Sequence, residues 1–134
     1  MNSASLYIGA AFIFLAALVH LLIFFMESVL WNDPKIWKRF GVRSQEDADI
    51  LKPMAYNQGF YNVFLALGAG VGLLMIGSTN WVQGGVALTI FAGSSMVLAA
   101  VVLITSSRKL WRAAVFQGAA PLVGVILLLL AILV

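Results

Sequence analysis

Four runs of about twenty apolar residues, none holding more than one charge, constrain this chain more than any other feature. A stretch of that length crosses a bilayer as a helix, because lipid offers an open backbone no hydrogen-bond partner. Composition agrees. Of 134 residues, 63% are hydrophobic and 10% charged, and a soluble fold of this size has too little interior to hide that much apolar surface. The expected architecture is all-α: one membrane-embedded four-helix bundle over residues 1–134, with spans at about 6–30, 54–76, 82–104 and 113–134 and an amphipathic cytoplasmic connection at 32–52. Met1-Asn2-Ser3-Ala4-Ser5 holds no Lys or Arg, so the first run reads as a retained helix rather than a signal peptide.

The order of charges sets the expected orientation. Lys35, Lys38, Arg39, Arg43 and Lys52 fall between the first two spans, and Arg108, Lys109 and Arg112 between the last two. The N-terminus, the Ser78-Thr79-Asn80 turn and the C-terminus have no basic side chain. The positive-inside rule then makes the basic side cytoplasmic and both termini non-cytoplasmic, in a multi-pass protein of the cell membrane. The net charge of +3 is assigned to that basic face and its membrane lipids, not to nucleic acid. Within the first connection, Pro34 to Phe40 interleaves aromatic and basic residues and reads as an interfacial stretch, with Ile36, Trp37 and Phe40 turned to lipid. Ser44 followed by Glu46 and Asp47 reads as a capped helix start leading into the second span near Pro53.

Polar residues inside the spans are the candidate site. Gly9, Ile13, Ala16, His20, Ile23 and Glu27 recur at helical spacing and share one face of the first span. The second span opens on Asn57, Gln58, Tyr61 and Asn62, with Gln58 and Asn62 one turn apart; the fourth carries Gln117 in its first turns. Three helices thus place polar groups at similar depth, in the half nearer the basic side. Such groups are costly against lipid and belong in the bundle interior or a wet cavity. The candidate ligand-binding residues are His20, Glu27, Trp31, Asn57, Gln58, Tyr61, Asn62 and Gln117. Trp31 reads as a membrane anchor or a cavity wall, and Glu27 as an interfacial gatekeeper whose head reaches water. Pro121 gives no N–H to the Gln117 carbonyl and predicts a kink. Gly68 with Gly72, and Gly85, Thr89 and Gly93, form small-residue ridges for helix packing.

Several chemistries are set aside. The chain has no cysteine and one histidine, and His20 and Glu27, two turns apart, are separated by about 10 Å along the helix. Zinc wants three or four close ligands, so no metal or cofactor is expected. Ser94 and Ser95 have no base and acid placed beside them by the sequence, and no Gly-rich, Lys-bearing phosphate loop is present. No catalytic residue is assigned; His20 is the proton donor or acceptor if the protein is an enzyme.

His20 through Trp31 with its acidic Glu27, the Asn57-Gln58-Gly59-x-Tyr61-Asn62 element and Gln117-Gly118-x-x-Pro121 together resemble a family of small four-helix integral membrane proteins, the domain of unknown function 1304. The proline of the third element stands further along than in the family pattern. The resemblance spans nearly the whole chain and implies four spans and no established activity. Three readings of the polar constellation stand. One is a cytoplasm-facing cavity that binds or transports a small amphipathic or cationic molecule. Another is a membrane enzyme doing isomerase-like proton transfer on a lipid-like substrate. The third is a structural or assembly partner whose polar groups are interhelical glue, and homo-oligomers are compatible with each reading.

Overall fold

The structure, a computed structural model, describes residues 2–133. Helix α1 (Ser3–Phe24) is prolonged by a π-helical turn, Phe25–Val29. A short α2 (Pro34–Trp37) lies in the first connection, followed by α3 (Gln45–Ile76), α4 (Val82–Ser106) and α5 (Trp111–Leu133). α1 with its π turn, α3, α4, and α5 with the 3-10 turn before it are each long and apolar enough to cross a membrane. The chain is therefore an all-α, multi-pass integral membrane protein.

Side-chain caps explain where α1, α2 and α3 begin. Asn2 accepts from the Ser5 N–H at 3.1 Å, Asp33 from Lys35 N–H at 2.8 Å with Pro34 at the first helical position, and Ser44 from Asp47 N–H at 3.1 Å. Gly41, at φ 83°, closes the 3-10 turn Lys38–Phe40 in a left-handed conformation that other residues rarely adopt. The capped helix at Ser44 and the second span are one continuous helix of 32 residues. At 1.5 Å per residue it is about 48 Å long, against a hydrocarbon core of about 30 Å, so its first turns overhang the bilayer.

The four long helices close into a ring in which α1 packs on α3 and α5, and α4 packs on the same two, while α1 and α4 scarcely meet across the middle. The Asn2 N–H donates to the Ala131 carbonyl at 3.0 Å, tying the start of α1 to the end of α5. The end of α1, the start of α3, the end of α4 and the start of α5 consequently gather at one end of the bundle. All eight Lys and Arg residues and all five carboxylates of the chain lie towards that end.

Small residues set the distances within the ring. Gly9, Ile13, Ala16, His20, Ile23 and Glu27 are all buried, as their spacing predicts. A Cβ on Gly9 would lie 3.1 Å from the Gly124 carbonyl of α5. One on Gly72 would strike Thr89 of α4, one on Gly85 would lie 2.6 Å from the Ile76 nitrogen, and one on Gly118 would lie 2.7 Å from the Ala100 Cβ. Gly72 of the GxxxG pair is thus used for packing within the chain. Thr89 Oγ1 donates to the Gly85 carbonyl at 2.6 Å, and Ser95 Oγ to the Phe91 carbonyl at 2.9 Å, returning polar groups to their own helix. Helix α5 runs unbroken through Pro121.

The first connection departs from expectation. Trp37 is buried rather than turned to lipid, and with Trp31, Ala48 and Ala55 it forms a second small core, against which Phe40, Val42 and Leu51 pack. Trp31 is neither a membrane anchor nor a cavity wall: its Nε1 donates to the Ala48 carbonyl at 2.9 Å, and its ring lies 5.5 Å from that of Phe40. The cause is the overhang of α3. Its protruding turns offer a protein surface just where the connection folds back, so the aromatic residues bury against protein.

Candidate functional site

The π turn at the end of α1 carries Glu27 and Ser28, and α3 docks on it through residues 56–62. Asn62 Nδ2 donates to Glu27 Oε2 at 3.0 Å, and the same nitrogen lies 3.1 Å from the Gln58 carbonyl of its own helix. Ser28 Oγ donates to the Tyr56 carbonyl at 2.9 Å. Between these two bonds lies Gly59. A Cβ there would collide with Ser28 Oγ and lie 3.2 Å from the Glu27 Cβ, so any larger residue would push α3 off the π turn. The Asn57-Gln58-Gly59-x-Tyr61-Asn62 element therefore has a local meaning: a glycine for close approach, then, one turn on, an amide for the carboxylate that the approach brings near.

Beside this pair the ring opens, at the charged end, into a cleft of about 680 Å³ to which all four long helices contribute. That is the size of small-molecule sites, about 300–1,000 Å³. Glu27, Gln58, Asn62 and Gln117 supply its polar groups from α1, α3 and α5. Arg39, from the 3-10 turn of the first connection, and Arg112, from the first turn of α5, add two guanidinium groups. Most of the remaining wall is apolar, including Leu22, Met26, Val102 and Phe116. A carboxylate thus lies inside the bundle with cations supplied from its charged end. The carboxylate is met by an amide, a neutral partner that leaves lone pairs on its oxygens unused.

Of the residues singled out in the sequence, Glu27, Gln58, Asn62 and Gln117 come together around this cleft, and His20, Trp31, Asn57 and Tyr61 stay outside it. His20 is 1% exposed, and its Nδ1 lies 2.9 Å from the Ala16 carbonyl one turn earlier. It sits about 10 Å deeper than Glu27 along the helix, which separates it from the polar layer expected of it. Glu27 is not a water-facing gatekeeper but a buried residue, because the π turn directs it at α3. Asn57 and Tyr61 are exposed on the outer side of α3. Each precedes a cleft residue by one position, and one position is about 100° of helical rotation. The Tyr61 ring packs edge-on to Phe64, 6.3 Å away.

Three residues at the site escape the sequence reading. Ser28 looks like an ordinary polar residue near a helix end. Arg39 and Arg112 look like topology signals, and only the fold of the connection over the bundle end brings them to the cleft. The order Arg112, Phe116, Gln117 on α5 was the available clue, since residues four and five apart lie on neighbouring strips of a helix. Among the described residues no three His, Cys, Asp or Glu side chains converge to hold a metal ion.

Residues 14–129 match the model of a family described as Protein of unknown function (DUF1304). The match takes in every residue named at the cleft. Neither a curated protein nor a solved structure matches the chain significantly.

Proposed function

The chain belongs to the DUF1304 family, and we propose that it binds, or carries, a small amphipathic or cationic molecule in the cleft at the charged end of its bundle. The observation that supports this reading is the meeting of one carboxylate and three side-chain amides, from three helices, in a space with largely apolar walls. Polar groups within a membrane span are costly and are best accounted for by a ligand or a partner group. Among the described residues the Glu27 side chain accepts one bond, from Asn62, and it can take further N–H donors. Following the positive-inside rule, the charged end faces the cytoplasm, both termini face the other side, and the membrane is that of the cell.

Calorimetry on the protein in maltoside micelles, with dodecylammonium as titrant, tests this. Wild type binds, and Gln117→Leu weakens binding at least tenfold while the helical circular dichroism stays unchanged. Equal binding by a folded Gln117→Leu variant sinks the assignment.

The Asn62–Glu27 bond favours a second reading, in which these groups are interhelical glue and the cleft takes no ligand. On that reading no amphiphile raises the unfolding temperature beyond its effect on the micelle. The isomerase-like reading finds less support, because His20, its proton donor or acceptor, is engaged with its own helix and lies outside the cleft.

A further inference from the structure

The charges of the cleft are layered, and the layering selects a ligand. The Glu27 carboxylate lies within the bundle, bonded among the described side chains to Asn62, while Arg39 and Arg112 approach the same space from the segments at its charged end. Carboxylates accept and guanidinium groups donate, so the two layers want opposite partners. A purely anionic amphiphile satisfies the arginines and brings its charge towards an uncompensated carboxylate. A purely cationic one satisfies Glu27 and leaves two guanidinium groups unmatched. A headgroup with an ammonium and a phosphate a few atoms apart answers both.

Resting on the binding role proposed above, we infer that the cleft takes the headgroup of an aminophospholipid, with its ammonium on Glu27 and its phosphate between Arg39 and Arg112. An ammonium has three N–H donors to offer the unused carboxylate lone pairs and the side-chain oxygens of Gln58 and Gln117, which line the same cleft. A trimethylated nitrogen has no donor to give. Arginine suits the phosphate, since its planar fork of donors matches phosphate oxygens bidentately. The apolar wall formed by Leu22, Met26, Val102 and Phe116 then covers the glycerol and the first carbons of the chains. Anionic lipid is attracted to any basic membrane face; the buried carboxylate is what distinguishes this site from such a face.

The test uses the full chain in dodecyl maltoside micelles, with dihexanoyl phosphatidylethanolamine, phosphatidylcholine and phosphatidylglycerol as probes and free phosphoethanolamine as a headgroup without chains. The expected result is at least tenfold preference for phosphatidylethanolamine over each of the other three. Glu27→Gln reduces its preference over phosphatidylglycerol to less than threefold. Arg112→Gln weakens phosphatidylethanolamine and phosphatidylglycerol together, each at least fivefold. Equal affinity of wild type for phosphatidylethanolamine and phosphatidylglycerol overturns the inference, as does equal affinity for free phosphoethanolamine. Should Glu27→Gln fail to fold, Arg112→Gln decides, because Arg112 is exposed at a helix start; unchanged phosphatidylethanolamine affinity in that variant also overturns it. If dodecylammonium binds and phosphatidylethanolamine does not, the headgroup inference falls and the binding role stands. If neither binds, both fall.

Discussion

Among the described residues, Glu27 and Asn62 form the one buried side-chain pair that hydrogen-bonds between two of the spanning helices. Replacing Asn62 by leucine leaves the carboxylate without its amide and should cost about 1–3 kcal/mol, the usual penalty for a buried group stripped of its partner. Urea unfolding in mild detergent measures this, and the double variant with Glu27→Leu, which removes the acceptor, should show a coupling of about 0.5–3 kcal/mol; additive effects would mean the bond contributes nothing. The two buried tryptophans of the first connection make opposite predictions. Trp31→Phe loses a bond to the Ala48 carbonyl and should destabilise by about 1 kcal/mol. Trp37 Nε1 has no partner among the described residues, so Trp37→Phe removes an unsatisfied donor and should be neutral or stabilising. The face of α1 that holds Glu27 was legible, because six residues repeat at helical spacing. Which of its polar residues meets Asn62 was not. That depends on how far α1 slides along α3, which is set by the close approach of Gly59 to Ser28, a contact between residues 31 positions apart.

Helix pairs in this protein are spaced by glycines, and the glycines are not equivalent. Gly59 and Gly72 each face a side chain of a neighbouring helix that a Cβ would strike, so Gly59→Ala and Gly72→Ala should each destabilise by about 1–3 kcal/mol through overpacking. Gly70, two residues before Gly72, has nothing within 4 Å of the place its Cβ would take. Gly70→Ala should therefore be neutral or stabilise by up to about 1 kcal/mol, as alanine does in a helix interior. Thermal unfolding of the three variants side by side checks this, and an equal loss in all three would refute the assignment of contacts. The capped start of α3 was legible from Ser44, Glu46 and Asp47, since capping is local chemistry. The burial of Trp31 and Trp37 was not. An aromatic and basic alternation looks alike whether it lies on lipid or on the overhanging turns of a neighbouring helix, and only the tertiary fold decides between them.

As a whole the molecule is strongly asymmetric, with all thirteen charged side chains (eight Lys and Arg, five Asp and Glu) towards one end. This was the most legible property of all, because charge order needs no knowledge of packing. The amide layer of the cleft was legible too, since Gln58, Asn62 and Gln117 share a depth; its arginines were not, because Arg39 and Arg112 reach it only once the helices close into a ring and the first connection folds over its end. The proposed orientation has a direct check. The chain has no cysteine, so Thr79→Cys and Ser107→Cys each carry a single thiol. A membrane-impermeant maleimide should label Thr79→Cys in intact cells and Ser107→Cys only after permeabilisation; the reverse pattern would invert the topology. The bare connection between α3 and α4 also bears on biogenesis. Residues 77–81 have no charged side chain, so in the proposed orientation this hairpin is threaded through the bilayer without driving side-chain charge against the electrical field, a load of about 2.3 kcal/mol per charge at 100 mV. Its insertion should survive a protonophore that collapses the field, whereas a single lysine introduced at Thr79 would be driven against the field, so its insertion should be impaired and recover when the protonophore is added.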